Sequence, residues 1–502
     1  MKFKHLLPFV LIVILNACSK DDDANGNEPG QQEDPASFTE IGTLDIGDTG
    51  AAEISAYDPS MQRLFVVNNG EINKIDVIDI ADPSKMTIIH SIPTNSGAVN
   101  SVSVKNGLLA AAIESPDKQQ PGRVTVYNTN DYSEIKTVST GPLPDMVTFS
   151  PDGNYILTAN EGEPNSDYSL DPVGSVSIVS VKDNYQVVNV DFSRFESEQA
   201  ALQQKGFRIF GPGASFAQDI EPEYITISPD SKTAWVTLQE NNAIAKIDLA
   251  TKTATNIFPL GFKDYNVEAN AIDPSNEDGT VAFKPCPVKG IYMPDAIAVL
   301  QTGSIPFLFT VNEGDAREYD AIEELKRIKN MSLDPAVFPN EQELKQDAQL
   351  GRLNVTTTLG DSNKDGLYEA LYSLGARSFS VWNGTTGEMV YDSKNELEVK
   401  ANAAGYYDDD RSDDKGVEPE GITLGRVGNK DIAFIGMERA DAIAVYDVTN
   451  PSAPTFLQIF KTGDAPEGVL FISAADSPTK KSLLIVSSEE DGVLKVYTPN
   501  TI

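Results

Sequence analysis

The sequence has few of the residues that most metal and redox chemistry needs. It carries two cysteines and two histidines in 502 residues. Cys18 and His5 fall in or beside an N-terminal apolar segment, so the body keeps only Cys286 and His90. That arithmetic excludes an internal disulfide, a cysteine–histidine zinc centre, a bis-histidine haem and a four-cysteine cluster. A Ser-His-Asp triad could use only His90, which sits in MTIIHSIP. This is the pattern of an outer strand, where an exposed edge imidazole is expected. Positive charge is also scarce: 39 lysines and arginines face 75 acids, for a formal charge of -36. Free nucleic acid and anionic membrane surfaces would be repelled, and cationic partners are favoured. Any chemistry must run on carboxylates, arginines, tyrosines or a bound metal.

What is present is a repeat. LPDMVTFSPDGNYILTANEGEP (143–164) reads as strand, turn, strand, with SPDG as the turn. The same pattern restarts near residues 51, 99, 221, 293, 418 and 465, which makes seven copies. A third and a fourth strand follow in all but the last, as in INKIDVIDI and KMTIIHSI. Four-stranded units of about 45 residues are the signature of propeller blades. The last copy has three strands, and FTEIGTLDI (38–46) stands alone before the first. The expected fold is therefore all-β: a YVTN/WD40-like seven-bladed β-propeller, its ring closed by the N-terminal strand. Insertions at 193–222, 260–294, 314–376 and 394–419 fall in loops of one face. Two of them hold helical patterns, FESEQAALQQKG (195–206) and IEELKRIKN (322–330). Loops gathered on one face of a rigid scaffold are where function sits.

Residues 1–17, MKFKHLLPFVLIVILNA, read as a signal peptide with an apolar core too short to span a membrane comfortably. LNAC resembles a bacterial lipobox and makes Cys18 the lipidated first residue. Residues 18–36 read as a disordered acidic tether, and 37–502 as the propeller. The expected location is the outer membrane, as a surface-exposed lipoprotein whose only membrane contact is the lipid.

Acids mark the repeat. Glu53, Asp145, Glu223, Asp295, Glu420 and Glu467 stand where first strands begin, with Asn100 in the second copy. Glu438 and its counterparts stand where second strands end. Both sets belong to the face that carries the insertions, near the axis, and form an acidic mouth that attracts cations. GDSNKDGLYEA places Asp361, Asn363 and Asp365 at alternate positions, with Leu367 offering a carbonyl and Glu369 a carboxylate. This is a loop for Ca2+, expected to be structural. IDPSNEDGT (272–280) is a weaker oxygen-rich loop, and YYDDDRSDDKG (406–416) reads as solvated. NEGEPNSDY (160–168) and NEGDAREYD (312–320) are near twins. Glu161, Glu163, Glu313, Asp315 and Arg317 could together run metal-assisted hydrolysis.

GAAEISAYDP, LPDMVTFSPDG, TANEGEPN, RIFGPGAS, EPEYITISPD, NEGDAREYD, RSFSVWN and EPEGI resemble the choice-of-anchor I family, from about residue 38 to 499. That family is similar to mesenchyme-specific cell-surface glycoproteins linked with biomineralisation. The resemblance implies a propeller exported to a surface and held there by varied anchors. Some members carry an alkaline phosphatase label, but neither that enzyme's serine motif nor its histidine metal cluster is visible here. The reading is a monomeric, calcium-stabilised surface propeller that binds a cationic, mineral or glycan ligand. The alternative is a metal-dependent hydrolase of phosphate esters or lactones.

Overall fold

The computed structural model describes residues 32–94 and 96–502. Cys18, the segment read as a signal peptide and most of the stretch read as a tether lie outside the described residues. The protein is all-β with few helices, the longest among the described residues being Glu396–Ala404. Seven antiparallel sheets have four strands each. Their first strands are Ala51–Asp58, Val99–Lys105, Pro144–Phe149, Pro222–Ile227, Ile297–Thr302, Pro419–Val427 and Pro466–Ile472. Each first strand touches the next in chain order, and the last touches the first. These strands line a central channel, which is the arrangement of a β-propeller.

The burial pattern explains the order within each sheet. Second strands such as Leu108–Ile113 are buried on both faces and read as continuous apolar runs. Fourth strands such as Thr87–Pro93 are mostly exposed. Apolar cores fill the spaces between successive sheets. Phe65 and Leu109 belong to one, Ile156 and Val124 to the next, and Leu157 and Val236 to a third. The seventh sheet shares a core with the first through Leu483, Ile485 and Leu64. Each fully buried leucine or phenylalanine contributes about 1.5–3 kcal/mol.

The N-terminal strand, Glu33–Asp45, pairs antiparallel with the C-terminal Val493–Thr501 and completes the fourth place of the last sheet. Phe38 fixes it. Its ring meets Phe434 edge to face at 5.0 Å. The Gln458 side chain bonds both its N–H and its carbonyl at 2.8 Å. The strand reaches back to Glu33, inside the stretch read as tether.

The insertions at 260–294 and 314–376 merge into one lobe. Phe262–Asp264, Lys289–Ile291 and Tyr372–Ser373 form a three-stranded sheet. Tyr265, Cys286 and Val288 from the first insertion share a core with Ile328, Phe338 and Leu353 from the second. Residues 322–330 are not a helix. Leu325–Arg327 is a strand paired with Asn354–Thr356, and Ile328–Asn330 is one 3-10 turn. The apolar spacing of three (Ile322, Leu325, Ile328) mimicked a helical period. The helical pattern at 195–206 is realised as a 3-10 turn followed by a short helix, Gln199–Gln203.

Candidate functional site: an acidic channel mouth

A recurring backbone device builds the mouth. In four sheets a left-handed residue, a proline and an acid follow one another: Leu143-Pro144-Asp145, Met293-Pro294-Asp295, Glu418-Pro419-Glu420 and Ala465-Pro466-Glu467. The φ values of the leading residues are 49°, 44°, 47° and 53°. Left-handed backbone costs a non-glycine residue about 1–2 kcal/mol, so its recurrence needs a return. The return is a hydrogen bond across the sheet. The Leu143, Glu418 and Ala465 carbonyls accept from the N–H of Glu161, Glu438 and Glu489 at 2.9–3.1 Å. Each bond ties the start of a first strand to the end of the second, and so holds the two acids of one sheet together. The register then slips by a bulge, as between Pro144 and Val147 or Pro222 and Ile225. A bulge re-aims side chains, here toward the axis.

The result is a polar cavity of about 320 Å³ lined by Asn100, Asp145, Glu223, Asp295, Glu420, Glu438 and Glu467, among others. Ile54, Met146, Tyr224, Ile422 and Val469 line both this cavity and a second one of about 390 Å³ further along the channel. They form an apolar girdle beneath the acids. Carboxylate oxygens gather within 4.8 Å of one another in three groups at the mouth: Asp145–Glu161–Glu223, Asp295–Glu313–Glu420 and Glu313–Glu418–Glu438. Glu53 stands beside them and accepts both bonds from the Asn69 amide at 3.1 Å. Burial, then mutual repulsion, makes these acids weak. Burial is the chief cause that pushes Asp145 up to about 7 and Glu438 up to about 7. Glu53 is pushed up to about 8 by burial, against the Asn69 bond. Glu161, Glu223, Asp295, Glu420 and Glu467 all lie well above the ordinary carboxylate range, by burial first and neighbouring acids second.

One counter-ion was not legible in the sequence. Lys415, from the acidic run read as a solvated loop, reaches into the mouth. Its ammonium lies 2.7 Å from Glu313, 3.0 Å from Glu418 and 3.8 Å from Asp315. That loop is not solvated: Ser412 and Asp413 are buried, and Arg411 binds Glu418 at 2.5 Å. The only signal was a lysine and an arginine inside a run of acids.

The twin strings meet at their ends. Tyr168 and Tyr319 stack edge to face at 5.4 Å, and Ala321 N–H donates to the Ser166 carbonyl at 3.1 Å. Their acids separate, Glu161 to one group and Glu313 to two others. Asp315 lines the mouth beside Glu313. The Glu163 carbonyl accepts from Gln119 at 3.2 Å. Arg317 is committed elsewhere. It is 3% exposed, binds Asp219 at 2.6 Å and Glu221 at 2.9 Å, and lies over the Phe210 ring. It holds the lobe to the 193–222 insertion and is not free to steady a developing charge.

The proposed calcium loop is compact. Asp361, Asp365 and Glu369 bring carboxylate oxygens within 4.8 Å of one another. Asn363 Oδ1 accepts from Asp365 N–H at 2.9 Å, and Gly366 takes a φ of 85° at the turn. Leu367 donates its N–H to Asp365 Oδ1. The loop at 272–280 differs: Asp273 is buried and accepts from Ala282 N–H, a turn closed by backbone bonds. His90 is exposed on its outer strand and stacks on Tyr132 at 4.6 Å. Cys286 is buried in the lobe core, its thiol pushed up to about 12 by burial.

The chain is 31% identical over 189 residues to Gigasin-3a of Magallana gigas, which covers 31% of this chain and 66% of that protein. It is 24% identical over 345 residues to the mesenchyme-specific cell surface glycoprotein of Strongylocentrotus purpuratus, covering 57% of this chain and 44% of the relative. The chain thus spans less than two thirds of either relative. Among solved structures, the hydrazine synthase of Kuenenia stuttgartiensis aligns with a TM-score of 0.49 and 13% identity, over 91% of this chain and 98% of that one. A β-propeller domain from Myceliophteria thermophila aligns with a TM-score of 0.48 and 7% identity, over 92% and 100%. The choice-of-anchor I domain matches residues 53–451. With most of its length matched, the chain belongs to the choice-of-anchor I family.

Proposed function

We propose that this protein is a seven-bladed surface propeller, closed by its N-terminal strand, that binds cations or cation-bearing surfaces at its acidic mouth. The observation that carries the reading is the crowding of half-buried carboxylates around one 320 Å³ cavity, in groups of three whose oxygens lie within 4.8 Å of one another. Like charges so close demand protons or cations, and in an export compartment a multivalent cation or a mineral or glycan surface can supply them. The name of the sea-urchin relative supports a cell-surface role. Lipid on Cys18 would be the anchor, and Ca2+ at Asp361, Asn363, Asp365, Leu367 and Glu369 would steady the lobe. Purified protein should bind calcium mineral or polylysine, and binding should weaken as salt rises. Replacing Glu420 and Glu467 together by Gln should lower it at least tenfold. Salt-independent binding, or binding indifferent to the double substitution, would refute the reading. Mass spectrometry should find an acylated Cys18, and added protease should shave the protein from intact cells.

The same mouth keeps a second reading in view, because carboxylate groups beside Lys415 and Arg439 are also a hydrolase's donor set. Turnover of phosphate esters or lactones with added metal, lost in Glu313→Gln, would establish catalysis. The engagement of Arg317 with Asp219 and Glu221 weighs against its serving in such a site.

A further inference from the structure

The two cavities of the channel are built on the same strands but differ in chemistry. Half of the residues lining the mouth carry charge. Among the described residues lining the lower cavity of about 390 Å³, only Asp476 does. That residue is exposed at the rim, and its carboxylate accepts from the Ser473 hydroxyl at 2.8 Å. In place of acids the lower cavity has hydroxyls. Ser103, Thr148 and Thr423 stand three residues after Asn100, Asp145 and Glu420, further down the same first strands, and Ser55 and Ser473 join them. The rings of Tyr57, Tyr224 and Phe471 add apolar surface to its wall.

We propose that the lower cavity is a second binding site, on the face opposite the insertions, and that it takes one neutral sugar ring. It is separate from the acidic mouth and does not rest on the cation-binding reading.

Ser55 points to a ligand. It is 8% exposed, and its Oγ has no hydrogen-bond partner. A buried hydroxyl left unpaired is costly, and a ligand in the cavity that Ser55 lines can supply the missing partner. Ser103 Oγ accepts from Phe149 N–H at 3.2 Å, which leaves its own proton to donate. The first strands are the edge strands of their sheets, so no strand pairs with the backbone along the channel. Hydroxyls and edge amides donate and accept without net charge, which suits a ligand dense in hydroxyls. A sugar ring has such a rim, and its C–H faces fit against the rings of Tyr57 and Phe471. The alternatives fit less well. A cation would find one carboxylate, already bonded to Ser473. A hydrocarbon chain would bury the hydroxyls with nothing to bond. The volume falls in the range of roughly 300–1,000 Å³ usual for small-molecule pockets. The apolar girdle of Ile54, Met146, Tyr224, Ile422 and Val469 separates the ring from the acids above.

The test is ligand-observed NMR on purified protein with the methyl glycosides of glucose, galactose, mannose and N-acetylglucosamine. Millimolar concentrations register even a weak single-ring ligand. At least one glycoside should receive magnetisation from the protein, and titration then gives its affinity. Ser55→Ala should weaken that affinity about fivefold, the worth of one hydrogen bond. The same variant should melt no lower than wild type, because it removes a hydroxyl that bonds nothing in the free protein, and this separates ligand loss from misfolding. Thr423→Phe should fill the cavity and abolish binding. Raised salt, and the Glu420→Gln/Glu467→Gln double substitution, should leave sugar binding unchanged while polylysine binding at the mouth falls. Four glycosides that all fail to bind wild type would overturn the site. So would binding that survives both Ser55→Ala and Thr423→Phe, or binding lost with the mouth acids, which would place the sugar above the girdle. Polylysine binding that proved indifferent to salt would refute the mouth reading and leave this one standing.

Discussion

The seven sheets and the insertions hold together by different physics. The sheets bury alternating aliphatic side chains between layers, with Phe65, Leu109, Phe434 and Ile485 fully covered. The insertions have an apolar core of their own, but they also bury charge. Arg208 meets Glu324 in the interior. Arg317 meets Asp219 and Glu221, and Arg377 meets Glu398 at 3.2 Å. Each of these arginines joins two segments far apart in sequence. Arg377 also donates to the Ser412 and Asp414 carbonyls at 2.9 and 2.8 Å, which pins the loop carrying Lys415. A repeated sheet needs only pattern to find its neighbour. Irregular loops have no pattern to match, and directional ion pairs fix their mutual placement. Such pairs are weak net stabilisers, but losing one partner is expensive.

The sharpest way to break this contrast is Arg317→Met. It strands Asp219 and Glu221 in a buried site and should cost about 3–5 kcal/mol. That equals truncating a sheet core residue such as Phe434→Ala. The two should differ in rescue. Adding Asp219→Asn and Glu221→Gln should recover most of the Arg317→Met loss in urea denaturation, whereas no polar change rescues Phe434→Ala. An unrecovered triple variant would show that the arginine stabilises by more than pairing.

Calcium should act on the lobe and spare the sheets. At a concentration one hundred times its dissociation constant, an ion bound only by the folded state adds about 2.7 kcal/mol. Chelation should lower the melting temperature of wild type, and Asp365→Ala should remove most of that difference. Hydrogen exchange should place the change in residues 325–372 and leave strands such as Leu483–Ser488 protected. Equal calcium response in wild type and variant would make the 361–369 loop a plain turn.

The sheets were readable because their signal repeats. Alternation, SPDG turns and the Pro–acid pairs at Pro144, Pro222, Pro294, Pro419 and Pro466 recur in register, so five weak signals support one another. The pairing of the first and last strands followed from counting strands. The mouth acids were legible for the same reason, although the left-handed residues and cross-strand bonds that aim them were not. The lobe was opaque because its partners are distant: nothing local in IEELKRIKN announces that Leu325–Arg327 pairs with Asn354–Thr356. The partners of Arg317 were hidden on similar grounds. Its neighbours in NEGDAREYD are acids, but its partners lie about a hundred residues away. Lys415 was hidden by its company.

Proton linkage sharpens the contrast from the side of the sheets. Glu53 holds its proton up to about 8 in the folded mouth, against an ordinary value of 4.5. The native state therefore binds more protons than the unfolded chain between those values. Its contribution to stability is complete below about 4.5 and is lost as pH rises through about 8. Exposed acids such as Asp82 are shifted the other way, to about 2, and titrate outside this window. In chelator, the melting temperature should fall by a few degrees from pH 5 to pH 8.5, and Glu53→Gln should flatten part of that slope. A rise over the same range would mean that the mouth acids are ionised and paired in the metal-free protein.

The smallest effect belongs to the histidine. His90 is exposed on the outer strand Thr87–Pro93, and its contact is a ring stack on Tyr132 at 4.6 Å, interplanar angle 15°. Tyr132 also accepts from Arg63 at 2.6 Å and meets the Phe65 ring at 6.2 Å, so it stays anchored without the imidazole. Stacking at a wet edge contributes about 0.5–1.5 kcal/mol at most. His90→Ala should therefore cost under about 1 kcal/mol in urea denaturation and leave calcium and polylysine binding unchanged. The mouth cavity is lined by residues of first strands, second-strand ends and insertions, while His90 is on a fourth strand, at the rim of its sheet. If a hydrolytic activity were found and His90→Ala abolished it with folding intact, the chemistry would lie at the outer edge, and the division between scaffold sheets and a functional insertion face would have to be redrawn.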